Sequence, residues 1–462
     1  MIQKEKATYF LKCLIFFNEI PWQEIPLIYL RNKKPCYKFV IKFVTSFMKK
    51  MKEYKYHIGL NLRIYPSDKQ KKIIKMNGGA SRYIYNKLVA DNNEMYELKK
   101  SSSFSITDRN RLEFLESIHK TKSNMLIMIP FLSQKEIDSD MIDNAIQNYK
   151  MAWNQYNKVK GASVPTFHKK DNTYFYKTSN HYGKIRNDGL KDGSIYFIDE
   201  NHINLPKIGR IRFKGSKKLV NKILNFPYEI RVGSTSIEMD NLGLCYVSIS
   251  LASDYPFHNE YVKTNSSIGI DLNLSNFLAD SDGNIVDSPK FLKKAEAKLK
   301  KEQRKLSRRY ESAKKDKRKY YECKNYQDQR LKVAKIYKHV SNQRKDFYCV
   351  LANNLVKNHD YIFAEDLKIK NMIKNHNLAK AISDSGWRSF LTTLSWIAQK
   401  SNKNLILVNP KNTTQMCSNC GTISNEKIVL GVEEWTCPNC GTHHIRDINA
   451  AINIKNKGLS LV

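Results

Sequence analysis

Two close cysteine pairs near the C-terminal end constrain the fold of this 462-residue chain more than any other feature. Cys417 and Cys420 form a C-x2-C pair, sixteen residues follow, and Cys437 and Cys440 form a second C-x2-C pair. Two such turns can present four thiolates tetrahedrally to one Zn²⁺, and a closed four-thiolate site is structural rather than catalytic. The spacing therefore predicts a zinc ribbon, while four free buried thiols remain the alternative on spacing alone.

The other five cysteines are scattered through apolar or helical sequence and do not form a disulfide framework. This pattern favours a reducing compartment with one metal site, at which His443 and His444 are weaker ligand candidates. The apolar stretch from Tyr9 to Phe17 is short, carries Lys12 and is followed by no small-residue cleavage site. We therefore expect neither a secretory signal nor a membrane helix.

The charge balance is strongly basic, with 79 Lys and Arg against 44 Asp and Glu and a formal charge of +35. A balance of this size fits a polyanionic partner, most simply nucleic acid, although a solubilising surface is the alternative. The 26 tyrosines offer faces on which bases can stack. The excess is concentrated in residues 290–346, a predicted helical region with 22 Lys and Arg against 7 Asp and Glu.

The stretch from Ser267 to Val286 predicts three short strands in a meander. Its first apolar run ends on Asp271, and Asp282-Gly283 is a strong hairpin signal because glycine accepts a positive φ. A carboxylate at the end of a buried strand is costly unless a charged partner meets it there, and a divalent metal is one such partner.

Two further carboxylates occupy related positions. Glu365 ends the apolar run that starts at Tyr361, and Asp447 lies in the first turn of a predicted helix over residues 446–454. Each is a weak signal alone, since helix starts favour Asp through the macrodipole. Together with Asp271 they could hold two Mg²⁺ ions, which can orient a water for attack on a phosphodiester.

The preceding half predicts a β-rich unit with a helical insertion. Tyr54–Tyr65 alternates as a strand does, Ser67 or Asp68 is the expected cap of a helix reaching about Lys100, and Ser133 is the expected cap of a second long helix. Period-two segments follow, and the expected strands are Ile203–Leu205, Ile208–Phe213, Tyr228–Val232 and Cys245–Leu251.

Several motifs follow one another along the chain. They are Gly269-Ile-Asp271-Leu, Ser281-Asp-Gly283, Asn342-Gln-Arg-Lys-Asp346, Glu365-Asp-Leu367, Asp384-Ser-Gly-Trp387, the two cysteine pairs and Arg446-Asp447-Ile-Asn-Ala-Ala451. With these motifs the chain resembles the TnpB family, the transposon-encoded RNA-guided DNA endonucleases related to the small type V CRISPR nucleases.

The resemblance covers about residues 55–456. The chain departs from the usual family pattern at Asn273, Ile445, Ile397 and Thr413, and none of these changes removes a carboxylate of the expected triad or a cysteine thiolate.

The resemblance implies a multidomain α/β fold. A β-barrel wedge domain would comprise a strand at 51–66 and residues 166–262, with a helical recognition insertion at 67–165. A RuvC nuclease domain of RNase H-like fold would follow at 263–462, with the zinc ribbon inserted at 411–445. Residues 1–50 form an N-terminal extension of unknown role, and one hypothesis is that translation starts at Met48 or Met51.

The resemblance also implies a function. The chain would be a Mg²⁺-dependent DNA endonuclease with Asp271, Glu365 and Asp447 as its metal-binding triad. Its partners would be a guide RNA from the transposon end and double-stranded target DNA next to a short motif, with no membrane. The location would be cytoplasmic, with nucleoid association on DNA, and the oligomeric state stays open. A cleavage-deficient RNA-guided regulator and an accessory transposase protein are the alternatives.

Overall fold

The structure, a computed structural model, describes residues 49–101, 105–117, 121–170, 172–181, 193–257, 261–368, 372, 374, 376–424 and 432–462. The N-terminal extension lies outside the described residues up to residue 48. The described chain forms two compact units, the first with residues up to 240 and 244–257, the second with 241–243 and 261–462.

The first unit is built on a seven-stranded antiparallel sheet with a helical insertion between its first two strands. Strand β1 runs through the middle of the sheet, and its alternate residues Ile58, Leu60, Leu62 and Ile64 are buried. The elements are β1 (Tyr56–Tyr65), α1 (Asp68–Lys100), α2 (Ile106–Ser117), α3 (Lys122–Met128), α4 (Ser139–Lys158), β2 (Tyr174–Thr178), β3 (Tyr196–Asp199), β4 (His202–Leu205), β5 (Gly209–Lys214), α5 (Lys217–Leu224), β6 (Arg231–Met239) and β7 (Cys245–Ser253).

The strand order is β2-β6-β7-β1-β5-β4-β3, and within the described residues the edge strands β2 and β3 pair with no further strand. The sheet is a curled antiparallel half-barrel, and its assignment as a wedge β-barrel stays a prediction. The predicted strand at Tyr228–Val232 differs from the structure, because residues 227 and 228 form a bend and pairing starts at Arg231.

Two helix starts illustrate where local chemistry decides. Ser67 caps α1 as predicted, and its capping box is completed by the Gln70 side chain. The cap predicted at Ser133 is wrong: Pro130–Ser133 forms a short 3-10 turn, and α4 starts six residues later. The carboxylate of Asp138 caps it by accepting from the Asp140 amide at 3.1 Å.

The second unit contains a five-stranded sheet in the order β10-β9-β8-β11-β12. The predicted meander of β8, β9 and β10 is confirmed as antiparallel, with Gly283 at φ +91° in the hairpin, whereas β8, β11 and β12 are parallel. The elements are β8 (Ser267–Asp271), β9 (Leu278–Asp280), β10 (Ile285–Val286), α6 (Phe291–Lys315), α7 (Lys324–Asn358), β11 (Tyr361–Glu365), α8 (His376–Ser385), α9 (Trp387–Lys400), β12 (Asn404–Val408), β13 (Glu434–Thr436), β14 (His443–Ile445) and α10 (Arg446–Leu459).

The amino ends of the three parallel strands are tied together by Asp360. Its carboxylate accepts from the amides of Thr264 (3.1 Å) and Asn265 (2.7 Å) and pairs with Lys403, which is only 5% exposed. These contacts hold the pKa of Asp360 well below its usual value, the Lys403 ammonium contributing most. The strands thus start in register, which fixes where their carboxyl ends lie.

Taken together, the two units give the multidomain α/β architecture that the sequence predicts. Among the described residues, no helix has both the length and the apolar character needed to cross a membrane.

Candidate functional site

Asp271 and Glu365 lie side by side at the carboxyl ends of neighbouring parallel strands. Ile270 on β8 is the partner of Ala364 on β11, so the next residue of each strand is one of the two carboxylates. Both side chains are half-buried. Parallel pairing in this register therefore brings together two acidic residues that are 94 positions apart in the chain.

Asp447 reaches the same end of the sheet through helix α10. The helix packs directly on β8 at Gly269, where a Cβ would collide with the Ala451 carbonyl oxygen and lie 2.7 Å from the Lys455 amide. Only glycine fits such an approach, since it has no side chain. The first turn of α10, which carries Asp447, is thus held near the strand end that carries Asp271.

The charges of Glu365 and Asp447 both act on Asp271. The pKa of Asp271 is raised well above its usual value, first by burial, then by the negative charge of Glu365 and then by that of Asp447, while Arg446 opposes the shift. Burial also raises the pKa of Glu365, against the lowering effects of the Thr413 hydroxyl and Lys457. Partly buried carboxylates that lie close together favour protonation unless a cation compensates their charge.

Two neighbours engage the triad carboxylates. The Arg446 guanidinium contacts Asp447 at 2.8 Å through both Nε and Nη2, and the hydroxyl of Thr413 donates to Glu365. The oxygens of the three carboxylates do not all come within 4.8 Å of one another. The donor chemistry fits a hard divalent cation such as Mg²⁺, which prefers carboxylate oxygens, but a bound cation would have to compete with Arg446.

The four cysteines form a compact cluster between β12 and α10. Their sulfurs all lie within 4.8 Å of one another, with Cys417 and Cys440 3.7 Å apart and Cys420 and Cys437 3.6 Å apart. In the part of the chain that the structure describes, this is the one group of three or more His, Cys, Asp or Glu residues that converges so tightly. The four thiolates fit a Zn²⁺ site.

Both cysteine turns have the same backbone geometry. The amide of Cys417 donates to the Thr422 carbonyl and that of Gly421 to the Cys417 carbonyl, each at 2.9 Å. Cys437 repeats the pattern with Thr442 and Gly441. The glycines have φ of +75° and +71°, as the tight turns require.

The polar groups of each turn also tune the thiols. The Thr422 hydroxyl and amide lower the pKa of Cys420 to about 5, whereas burial raises the pKa of Cys417 to about 11. Of the two weaker ligand candidates, His444 has Nε2 3.0 Å from the Cys417 sulfur, and the exposed His443 pairs with Glu434 at 3.3 Å.

Two asparagines that the sequence analysis missed join the cysteine cluster to α10. Asn449 accepts from the Ser418 amide and donates to the Met416 carbonyl, both at 2.8 Å. Asn453, one turn later, donates to the carbonyls of Met416 (2.6 Å) and Thr413 (2.9 Å). Both asparagines are 1% exposed. The signal that could have found them is asparagine at i and i+4 inside a helix, where it is disfavoured without a specific partner.

Three family profiles match the chain. Residues 246–376 match the OrfB_IS605 family, described as "Probable transposase", and residues 387–454 match the "Cas12f1-like, TNB domain". Residues 51–101 match a family described as "Helix-turn-helix domain", although the structure has one strand and one long helix there. Together these profiles span more than half of the sequence.

Two curated relatives match over most of their length. A "Putative RNA-guided DNA endonuclease" of Streptomyces pristinaespiralis is 26% identical over 86% of this chain and 88% of its own. InsQ of Escherichia coli K12, with the same description, is 23% identical over 89% and 93%.

The fold also resembles that of a solved protein, the Cas12f1 chain of a complex with sgRNA and target DNA. The TM-score is 0.51 at 12% identity, over 87% of this chain and 99% of that one. The motifs, the matching domains and the relatives agree, and the chain therefore contains domains of the OrfB_IS605 TnpB family.

Proposed function

We propose that the chain is an RNA-guided, metal-dependent DNA endonuclease of a transposon, which hydrolyses phosphodiesters of target DNA next to a short motif. The observation that carries the proposal is the placement of Asp271, Glu365 and Asp447 at one end of the second sheet, where the charges of Glu365 and Asp447 both act on Asp271. The relatives named RNA-guided DNA endonucleases support the same activity.

The chemistry divides between the chain and its expected cations. Mg²⁺, at one or two positions, supplies an oriented water and charge stabilisation for the leaving oxygen when bound. Asp271, Glu365 and Asp447 would hold it. Within the chain, Thr413 restrains the Glu365 carboxylate, and the α10 contact at Gly269 positions Asp447. Arg446 neutralises Asp447 in the absence of a cation.

The remaining assignments belong to the same proposal. Residues 263–462 form the RuvC-like nuclease domain of RNase H-like fold, with a structural Zn²⁺ held by the four cysteines in a ribbon at 411–445. Residues 51–66 and 166–262 form the wedge domain around the insertion at 67–165. The division of the chain near residue 258 supports this boundary. The guide RNA comes from the transposon end, and the target is double-stranded DNA.

A second candidate is an RNA-guided DNA-binding regulator that does not cut. The Arg446–Asp447 pair favours it, because this ion pair occupies one of the three carboxylates and the carboxylate oxygens do not all converge. The presence of all three acidic residues favours the nuclease. Cleavage itself distinguishes the two.

The test is to purify the protein with its native transcript, sequence the bound RNA and measure cleavage of a target library with randomised flanks in Mg²⁺. We expect Asp271→Asn to lower cleavage about a thousandfold, since a lost metal ligand removes several kcal/mol of transition-state stabilisation. Asp366→Asn is the matched control, because Asp366 is exposed and directly follows Glu365. A wild type that cuts no better than Asp271→Asn would leave the regulator as the function.

A further inference from the structure

The distal end of the α6–α7 hairpin carries a group of four tyrosines that the proposed function leaves unused. We call residues 308–326 the hairpin tip. The ring centroid of Tyr320 lies 5.1 Å from that of Tyr310, 5.5 Å from that of Tyr321 and 5.2 Å from that of Tyr326. The rings meet edge to face, so their flat faces are not stacked on one another.

The cluster lies at the surface rather than in a core. Tyr310 is 38% exposed, Tyr320 41% and Tyr321 54%. Edge-to-face packing also stabilises the end of the hairpin, and the three rings that contact one another for this purpose are Tyr310, Tyr320 and Tyr326. Tyr321 contacts the described rings through Tyr320 alone, which leaves much of its surface open.

The same segment is densely basic. Residues 308–324 contain eight Lys and Arg against three Asp and Glu. The acidic residues Asp316 and Glu322 pair with Arg318 and Lys319. The remaining positive charge therefore faces solvent, and the exposed basic residues without a described ion pair are Arg308, Lys314, Lys315, Lys317 and Lys324.

Exposed rings and cations together fit one class of ligand. Lysines alone would serve any polyanion, and exposed rings alone would fit any apolar surface. Unpaired nucleotides present both a phosphate backbone for the cations and a base face for the rings, whereas a double helix hides its base faces. Charge complementarity and ring exposure thus favour a single-stranded nucleic acid.

The proposed function, on which this inference rests, itself produces such a strand. When an RNA pairs with one strand of a duplex, the other DNA strand is left unpaired. Helix α7 has 35 residues and spans about 50 Å between the hairpin tip and the approach to β11. We propose that the hairpin tip binds the displaced, unpaired DNA strand by stacking bases on its exposed tyrosines.

The first test locates the contact. The full-length protein with its RNA is bound to a target whose displaced strand carries 5-iodouracil, irradiated and digested, and cross-linked peptides are identified by mass spectrometry. We expect cross-links at Tyr320 or Tyr321. Cross-links confined to other segments would overturn the proposal.

The second test measures affinity with oligo(dT), and oligo(U) and a DNA duplex as competitors. We expect Tyr321→Leu to weaken oligo(dT) binding about tenfold, since it removes one stacking face, and Tyr321→Phe to bind as the wild type does. Tyr337→Leu, at a tyrosine of α7 that is 45% exposed and outside the cluster, is the matched control and should change little.

Each remaining outcome decides the proposal. Equal binding by Tyr321→Leu and wild type would overturn it, as would stronger competition by oligo(U), which would assign the surface to RNA. Equal thermal unfolding of Tyr321→Leu and Tyr321→Phe ties the loss of affinity to the ring rather than to folding. Cleavage of the target DNA without a cross-link at the hairpin tip would contradict only the proposed strand binding. A cross-link at the hairpin tip without cleavage of the target DNA would contradict only the proposed nuclease activity.

Discussion

The second unit contains two clusters of metal-type ligands that are built in opposite ways. The four cysteines converge within 4.8 Å, and each pair is shaped by its own turn. The three carboxylates come from two strands and a helix, and their oxygens do not converge to the same degree. The raised pKa of Cys417 and the lowered pKa of Cys420 let a protonated thiol lie beside a thiolate without a cation, whereas ionised carboxylates repel one another.

The difference shows which site depends on the rest of the unit. The cysteine turns use amides within a few residues of each sulfur, so local sequence suffices to form them. The carboxylate site needs the β8–β11 register, the contact at Gly269, the Arg446 guanidinium beside Asp447 and the Thr413 hydroxyl beside Glu365. We therefore expect the cysteine cluster to stay intact in variants whose carboxylate site is disrupted.

The largest effect should follow loss of a zinc ligand. Cys437→Ser removes a buried thiolate, and zinc binding by structural sites contributes about 10 kcal/mol or more. We expect the variant to purify without stoichiometric zinc and to lose the folded ribbon, as measured by metal analysis and thermal unfolding. Cys323→Ser, at a half-buried cysteine outside the cluster, should retain the metal. Unchanged unfolding in zinc-free wild type would argue against a structural zinc.

A smaller effect should follow removal of the Asn449 hydrogen bonds that join the cysteine segment to helix α10. Asn449→Ala leaves the Ser418 amide without its partner, at about 1–3 kcal/mol, and removes one of the two amide donors to the Met416 carbonyl, which keeps Asn453. We expect cleavage to fall while the zinc content stays normal, because the thiolates are positioned by backbone hydrogen bonds within their own turns. Asn456→Ala, at an exposed position of the same helix, is the control. Loss of zinc together with cleavage would show that the cysteine site is not independent.

The smallest effect should be a pH dependence of the metal-free protein. The pKa values of Asp271 and Glu365 are raised in the folded state, so the folded protein binds more protons than the unfolded chain. The free energy of unfolding should then fall as the pH rises from the ordinary carboxyl range through the raised values. Denaturant titrations at a series of pH values measure this dependence. The free energy of unfolding should change less with pH in Asp271→Asn, and in the wild type with excess Mg²⁺, than in the metal-free wild type. The same pH dependence in all three samples would contradict mutual repulsion at this site.

Much of this arrangement could be predicted from the sequence where the signal was local or periodic. The sequence predicts the alternation in β1, the Ser67 cap, the meander and the carboxylates at strand ends. Asp138 was missed as a cap because its capping role depends on a preceding 3-10 turn. The open edges of the first sheet depend on long-range pairing, which periodicity does not specify.

The polar contacts around the carboxylates and the cysteine segment were harder to predict. Thr413 contacts a residue 48 positions away, and Asn453 a carbonyl 40 positions away. Such contacts follow from how the cysteine segment folds back on α10. A hydroxyl or amide in the sequence does not indicate which distant acceptor it will meet.

Gly269 illustrates how an atom that is missing can matter as much as one that is present. Any side chain there would push against α10 and shift the segment that carries Asp447. A mutational scan scored by DNA cutting alone would place this glycine among the acidic residues, although it offers no functional group. Scoring folding and metal content in parallel would separate positions that react from positions whose contribution is the space they leave free.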